Sequence, residues 1–192
     1  YSHYAPNNAI MSLAGNITEN EAKNLSQKWF GPIEKRNIRP RSLPAEPLQN
    51  EERHSYVERD VPANALYKVW HTSSRTGKDF QALDLLTDIL SGGESGRLYE
   101  KLVRGKKLFS ELNAYITSDL DPGMLVLYGH LMKDVDIETA EKEVKAILES
   151  LKEPGDIPDE EMEKVLNRFE SSTVFSNTSI PNKALNLSFY EL

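Results

Sequence analysis

Between Ser110 and Thr117 the sequence alternates between polar and apolar side chains, and this pattern constrains the fold more than any other feature. Successive side chains of a β-strand point to opposite faces of a sheet, so the alternation predicts a strand with one buried and one exposed face. The buried side is predicted to consist of Leu112, Ala114 and Ile116. The exposed side is predicted to consist of Glu111, Asn113, Tyr115 and Thr117. Because an Asp-Pro-Gly turn and the apolar run "MLVLYGHLM" follow, the strand is predicted to belong to an antiparallel hairpin.

Segments with helical periodicity precede and follow this hairpin in the sequence. A helix is predicted from about residue 78 to 90, where the pair Gly92-Gly93 ends it, and a shorter helix is predicted through Leu98 and Leu102. Two further strands, "RHSYVERD" and "ALYKVWHTS", are predicted before these helices. Apolar stripes predict later helices from about residue 135 to 151 and from near residue 158. Hairpin-paired strands interleaved with such helices predict an α+β fold, an antiparallel sheet with helices packed on one face.

The N-terminal part of the chain is organised differently. The run "NNAIMSLAGNI" predicts a buried strand, and Thr18 with Glu21 forms a capping box that predicts the start of a helix. Residues 32–51 contain four of the ten prolines and show no periodicity, which predicts a linker. The last residues, "NKALNLSFYEL", are typical of an apolar helix in progress. We therefore expect a piece of a longer protein, in which residues 32–51 separate residues 1–31 from a domain, residues 52–192, that is truncated at its C-terminus.

Composition narrows the classes of partner. The net charge is -7, and no basic run is long enough to follow a phosphate backbone, so nucleic acid is not an expected partner. No apolar run approaches the roughly 20 residues of a membrane-spanning helix. The chain has no cysteine, a composition that leaves both a periplasmic and a cytoplasmic location open.

Three segments resemble the insulinase/pitrilysin-like, or inverzincin, family of zinc metallopeptidases. The segment "YAPNNAIMSLAGNITENEAKNLSQKWFGPI" resembles the end of the family's first domain. The segments "KDFQALDLLTDILSGGESGRLYEKLVRGKKLFSELNAY" and "DIPDEEMEKVLNRFESS" resemble its second domain. The resemblance implies a metallopeptidase-like α/β roll of the LuxS/processing-peptidase type. It also implies that residues 1–31 end a preceding peptidase unit and that residues 52–192 are a non-catalytic peptidase-like domain.

The chemistry of that family is absent from this sequence. Family members hold zinc with a His-x-x-Glu-His motif and a downstream glutamate, and the motif glutamate acts as a base on the bound water. The four histidines, His3, His54, His71 and His130, form no such motif. A second family signature is an arginine and a tyrosine that contact substrate. In this sequence the corresponding positions are occupied by Val103 and Ser110, which cannot play that role, while Arg97 and Tyr99 stand at a different place and spacing. We therefore assign no catalytic or metal-binding residue, and we expect the chain alone not to be an enzyme.

The resemblance also implies partners. The parent protein is expected to be a zinc metalloendopeptidase in which two halves enclose a peptide, with zinc held by an HxxEH-bearing domain or subunit. In such a protein the exposed side chains Glu111, Asn113, Tyr115 and Thr117 would line the peptide chamber. An isolated unit exposes the surface that its neighbour covers, so a homodimer is also expected. The alternative is a degenerate peptidase paralogue that acts as a structural, assembly or peptide-binding module.

Overall fold

The fold is described from a computed structural model that covers residues 3–40, 42–44 and 46–191. The chain divides into two compact units, one formed by Tyr1–Tyr56 with Ser171–Leu192 and the other by Val57–Glu170. The larger unit carries the sheet and the candidate site. Among the described residues, no helix is both long enough and apolar enough to cross a membrane.

The larger unit is built on a three-stranded antiparallel sheet. Its strands are β1 (Ala65–His71), β2 (Phe109–Ile116) and β3 (Met124–Leu131), and β3 lies between the other two. The predicted hairpin is confirmed, because β2 and β3 are antiparallel neighbours. The pairing of β2 with β3 is irregular between Phe109 and Glu111, so Ser110 forms a bulge at the start of β2.

Along the chain, helices lie between β1 and β2 and after β3, and they contribute apolar side chains to the core. They are α2 (Phe80–Ser91), a π-helix (Tyr99–Gly105), α3 (Ile137–Ser150) and α4 (Asp159–Ser176). Apolar side chains from α2, the π-helix and α3 form one buried cluster with the inward-facing side chains of the strands. The cluster includes Leu66, Leu90, Leu98, Leu102, Phe109, Leu112, Ala114, Leu127, Leu131, Ala140, Val144 and Ile147. The predicted α+β fold, an antiparallel sheet with helices packed on one face, is therefore confirmed.

The connection between α2 and the π-helix depends on glycine. Helix α2 ends at Ser91, and Gly93 has a φ of 76°, a backbone conformation that costs other residues roughly 1–2 kcal/mol. The short helix predicted through Leu98 and Leu102 is the π-helix, and both leucines are fully buried. A side chain at Gly93 would therefore strain the turn that delivers these two leucines to the core.

The smaller unit contains α1 (Glu19–Trp29) and α5 (Ile180–Glu191). The predicted capping box is confirmed: the Glu21 backbone N–H donates to the Thr18 hydroxyl, and the Thr18 backbone N–H donates to the Glu21 carboxylate at 2.9 Å. The Thr18 hydroxyl, which donates to the Glu21 carboxylate at 2.7 Å, and then the Thr18 backbone N–H hold the pKa of Glu21 below its ordinary value. The helix predicted in "NKALNLSFYEL" is also confirmed by α5.

Two predicted strands are wrong. Residues 7–17 form only a short 3-10 turn, Pro6–Asn8, followed by extended chain, and residues 53–60 form no strand. Most of these side chains are exposed. An apolar or alternating run becomes a strand only when another strand accepts its backbone hydrogen bonds, and no described strand pairs with either segment.

Candidate functional site

The candidate site is the side of the sheet that faces away from the buried cluster, which we call the outer face. Directly paired residues of antiparallel strands share a face, so the register gives the outer face three rows that span all three strands and a fourth, His71 with Met124, that spans β1 and β3. The first row is Ala65, His130 and Glu111; the second is Tyr67, Tyr128 and Asn113; the third is Val69, Val126 and Tyr115. Three of the four residues predicted for the exposed side of the hairpin thus lie on this one surface.

Three tyrosines form the centre of the outer face. The rings of Tyr67 and Tyr128 stack with their centroids 6.0 Å apart, and Tyr115 meets Tyr128 edge to face at 6.2 Å. Tyr67 is 63% exposed and Tyr115 is 47% exposed, although both side chains are large and aromatic. Aromatic pairs of this geometry stabilise a sheet, but they also leave ring surface open to a ligand.

Polar side chains adjoin the tyrosines on the β2 side. The Asn113 amide approaches the Tyr128 hydroxyl at 3.4 Å, and the His130 imidazole lies 3.3 Å from the Glu111 carboxylate. The side chains of Glu111 and His130 are both about half exposed. A carboxylate has more acceptor sites than one histidine occupies, so Glu111 keeps the capacity to bind a further donor.

Thr117 lies just beyond β2, where it closes the hairpin loop. Its hydroxyl accepts a hydrogen bond from the Met124 backbone N–H at 2.8 Å, and its own N–H donates to the Met124 carbonyl at 2.8 Å. The hydroxyl is thus engaged in holding the loop. The chamber role assigned to Glu111, Asn113, Tyr115 and Thr117 stays a prediction.

Sequence reasoning missed three residues of the outer face: Tyr67, Tyr128 and His130. The run "MLVLYGHLM" appears apolar as a whole, which hides the two polar side chains that point outward from β3. The register of β1 against β3 places Tyr67 beside Tyr128 although 61 positions separate them in the chain. Period-two alternation within β1 was the available signal for Tyr67.

Arg97, which sequence analysis left without a role, is the centre of a buried ion cluster. Its Nε lies 3.0 Å and 3.1 Å from the two carboxylate oxygens of Glu161, and its guanidinium also binds the carboxylate of Asp156 and the Asp156 carbonyl. The hydrogen bonds with Glu161 and then Asp156 raise the pKa of Arg97, against the opposing effect of burial. The guanidinium in turn lowers the pKa of Asp156. Arg97 thus joins the residues before the π-helix to the start of α4.

Two other basic residues near the π-helix are also paired within the fold. Arg104 contacts Glu100 at 3.2 Å, and Lys106 contacts Glu143 of α3 at 2.5 Å. At the two positions that match the family's arginine and tyrosine, Val103 is half-buried and Ser110 donates a hydrogen bond to the His130 carbonyl at 3.2 Å. These contacts position the π-helix and the start of β2.

The described residues do not fit a zinc site. Within residues 3–40, 42–44 and 46–191, no three histidine, aspartate or glutamate side chains are grouped so that they could hold a metal ion. His130 has Glu111 as its acidic neighbour, and His54 lies 3.8 Å from Glu52. Each of these pairs supplies one imidazole and one carboxylate, whereas a catalytic zinc site has three protein ligands.

Comparison with known proteins places this fold in a family. The sequence profile described as the Peptidase M16 inactive domain matches residues 1–169. The zinc protease PqqE of Helicobacter pylori is 27% identical over 206 residues, which cover 98% of this chain and 46% of that protein. The uncharacterised zinc protease YmxG of Bacillus subtilis is 25% identical over 186 residues, which cover 95% of this chain and 43% of that protein. The chain therefore spans less than half the length of these relatives.

Solved structures agree with the sequence comparison. A protease from Helicobacter pylori matches 92% of this chain and 43% of its own with a TM-score of 0.84 and 24% identity, a likeness of fold. The inactive peptidase domain of a Bordetella parapertussis protein proposed to be a zinc protease matches 68% of this chain and 69% of its own, with a TM-score of 0.59 and 28% identity. Because the family profile covers most of the sequence, the chain belongs to the family of Peptidase M16 inactive domains.

Proposed function

We propose that this chain is the non-catalytic domain of a zinc metallopeptidase and that the outer face of its sheet forms part of the wall of a peptide-binding chamber. Membership of the inactive-domain family supports the first part of the proposal. The exposed tyrosines beside Asn113 and Glu111 support the second part and are the observation that carries it. Aromatic rings with a few polar groups among them are typical of surfaces that bind peptides and proteins.

In this proposal the chemistry comes from another domain or subunit. An HxxEH-bearing partner would supply the zinc ligands and the general base, as the names of the similar zinc proteases suggest. The residues of this chain would hold an extended peptide in the orientation that the partner needs. Such positioning lowers the barrier without contributing a reacting group. A homodimer of the chain would cover apolar surface when that partner is missing.

The test compares hydrolysis by the longer parent protein with and without changes on the outer face. Asn113→Ala and Tyr115→Ala remove side chains of the second and third rows, and Tyr190→Ala removes an equally aromatic, 86% exposed side chain from α5 as a control. We expect each outer-face variant to lower kcat/KM for a quenched fluorescent peptide about three- to tenfold, since an exposed side-chain contact contributes roughly 1 kcal/mol. The zinc content and the Tyr190→Ala kinetics should stay unchanged.

Two outcomes would contradict the proposal. Outer-face variants that match the control would show that this surface does not contact the peptide during hydrolysis. A parent protein that binds zinc stoichiometrically but hydrolyses none of a varied peptide library would favour the alternative, a degenerate paralogue with an assembly role.

A further inference from the structure

The outer face carries a carboxylate but no lysine or arginine. Within β1, β2 and β3, which the structure describes in full, the outward positions contain the carboxylate of Glu111 and the imidazoles of His71 and His130, but no lysine or arginine. The one lysine of these strands, Lys68, points to the opposite side and pairs with Glu141 of α3. A sheet face that is merely solvated usually mixes acids with lysine or arginine, so the absence of lysine and arginine from this face calls for a reason.

The three tyrosines strengthen the same preference. The face of an aromatic ring is electronegative and attracts a cation placed within about 6 Å of the ring centroid. Tyr67 offers the most exposed ring, and the edge-to-face contact leaves part of the Tyr115 ring exposed as well. Ring surface that is open to solvent and adjacent to a carboxylate is a site for a positively charged group.

The rows place the rings and the carboxylate within reach of one ligand side chain. Glu111 lies in the first row and Tyr128 in the second, so the two are diagonal neighbours across β2 and β3, with roughly 7–8 Å between them. The first row begins with Ala65, which is opposite His130 and places only a methyl group there. A guanidinium or ammonium group resting on the second row can therefore also donate to Glu111.

We infer that the outer face is a subsite for an arginine or lysine side chain of the bound peptide, with the rings of Tyr67, Tyr128 and Tyr115 as its floor and Glu111 as its counter-ion. This inference rests on the proposed function and specifies the substrate class. The net charge of -7 acts in the same direction, because it attracts basic segments and repels acidic ones.

The experiment is an NMR titration of the 15N-labelled chain with two blocked pentapeptides. One is acetyl-Ala-Ala-Arg-Ala-Ala-amide, and the other replaces arginine by citrulline, which keeps the shape and removes the charge. We expect the arginine peptide to bind about three- to tenfold more tightly, the sum of one exposed cation–π contact and one exposed ion pair. The largest shift changes should occur at the amides of β1, β2 and β3.

Three variants test which residues cause the preference for the arginine peptide over the citrulline peptide. Glu111→Gln and Tyr67→Leu should each reduce the ratio of the two affinities, whereas Tyr67→Phe, which keeps the ring, should preserve it. Tyr56→Leu is the matched control, because Tyr56 is 84% exposed and lies in the smaller unit. Retention of the ratio in both Glu111→Gln and Tyr67→Leu would overturn the inference.

The titration separates this inference from the proposed function. Equal binding of the arginine and citrulline peptides at the outer face would overturn the cationic subsite while still supporting a peptide-binding wall. Failure of both peptides to shift any amide of the three strands at millimolar concentration would contradict both statements.

Discussion

Replacement of Arg97 by leucine tests whether the ion cluster at the start of α4 holds the larger unit together. The Arg97 side chain is 10% exposed, and its partner Glu161 is 17% exposed, so the substitution leaves a largely buried carboxylate without its cation. Loss of one partner from a buried ion pair costs about 3–5 kcal/mol. Because both carboxylates of this cluster retain some access to water, we expect the variant to lose about 2–4 kcal/mol of unfolding free energy.

Urea unfolding followed by tryptophan fluorescence measures this loss. The chain has two tryptophans, and Trp70 lies in β1 of the larger unit, so a Trp29→Phe background limits the signal to that unit. A loss of this size should lower the urea midpoint by about 1–2 M, given the slopes usual for domains of this length.

A matched control shows that burial, rather than charge alone, determines the cost. Arg104 pairs with Glu100 in the same unit, but its side chain is 67% exposed. Arg104→Leu should therefore change the unfolding free energy by less than about 0.5 kcal/mol. The double variant Arg97→Leu/Glu161→Leu should recover part of the Arg97→Leu loss, because it no longer buries an unpaired carboxylate. If Arg97→Leu proves no more destabilising than Arg104→Leu, the cluster does not stabilise the fold and the reasoning is refuted.

Two other predictions concern the same unit. The pKa of Asp156 is lowered in the folded chain by Arg97, so the unfolded chain takes up a proton first as the pH falls. The stability from this group is therefore present above the ordinary aspartate pKa of about 3.9 and is lost as the pH falls through the lower folded-state value. Urea midpoints measured between neutral pH and pH 3 should fall less steeply for Asp156→Asn than for the unaltered chain, and equal slopes would count against the ion pair. Gly129→Ala in β3 should cost about 1–3 kcal/mol in the same assay, because the added methyl would lie 2.6 Å from the Glu111 carbonyl oxygen and 2.6 Å from a Leu112 methyl carbon. An unchanged midpoint would mean that β2 shifts to accept the methyl.

The parts of the fold that sequence analysis predicted are those encoded by neighbouring residues. The capping box of α1 spans Thr18 to Glu21, and the alternation in β2 requires only that a strand be half-buried. The stripe of α3 is likewise local, and its Ala140, Val144 and Ile147 are buried as the helical period requires. In each case the structure depends on residues that are close together in the chain, so it can be inferred from one sequence.

The parts that were missed depend on residues far apart in the chain. Arg97 acquires its role from Asp156 and Glu161, which follow it by 59 and 64 positions. Tyr67 acquires its role from the pairing of β1 with β3. The segments 7–17 and 53–60 have the composition of strands but lack a described partner strand, and composition alone does not determine pairing. The predicted division into residues 1–31, 32–51 and 52–192 stays a prediction.

The two faces of the sheet separate stability from recognition in this domain. Leu112 and Ala114 on the inner side are buried in the core cluster, where truncation of a leucine typically costs about 2–5 kcal/mol. Tyr115, next to Ala114 and on the other side of the same strand, is 47% exposed, so its removal deletes ring surface without opening a cavity. Because inner and outer side chains alternate along one strand, substitutions on the outer face can change ligand binding while the inner face continues to stabilise the fold. It follows that a variant of Tyr115 that loses peptide affinity should retain most of its urea midpoint, whereas parallel loss of both would mean that the tyrosines serve the sheet rather than a ligand.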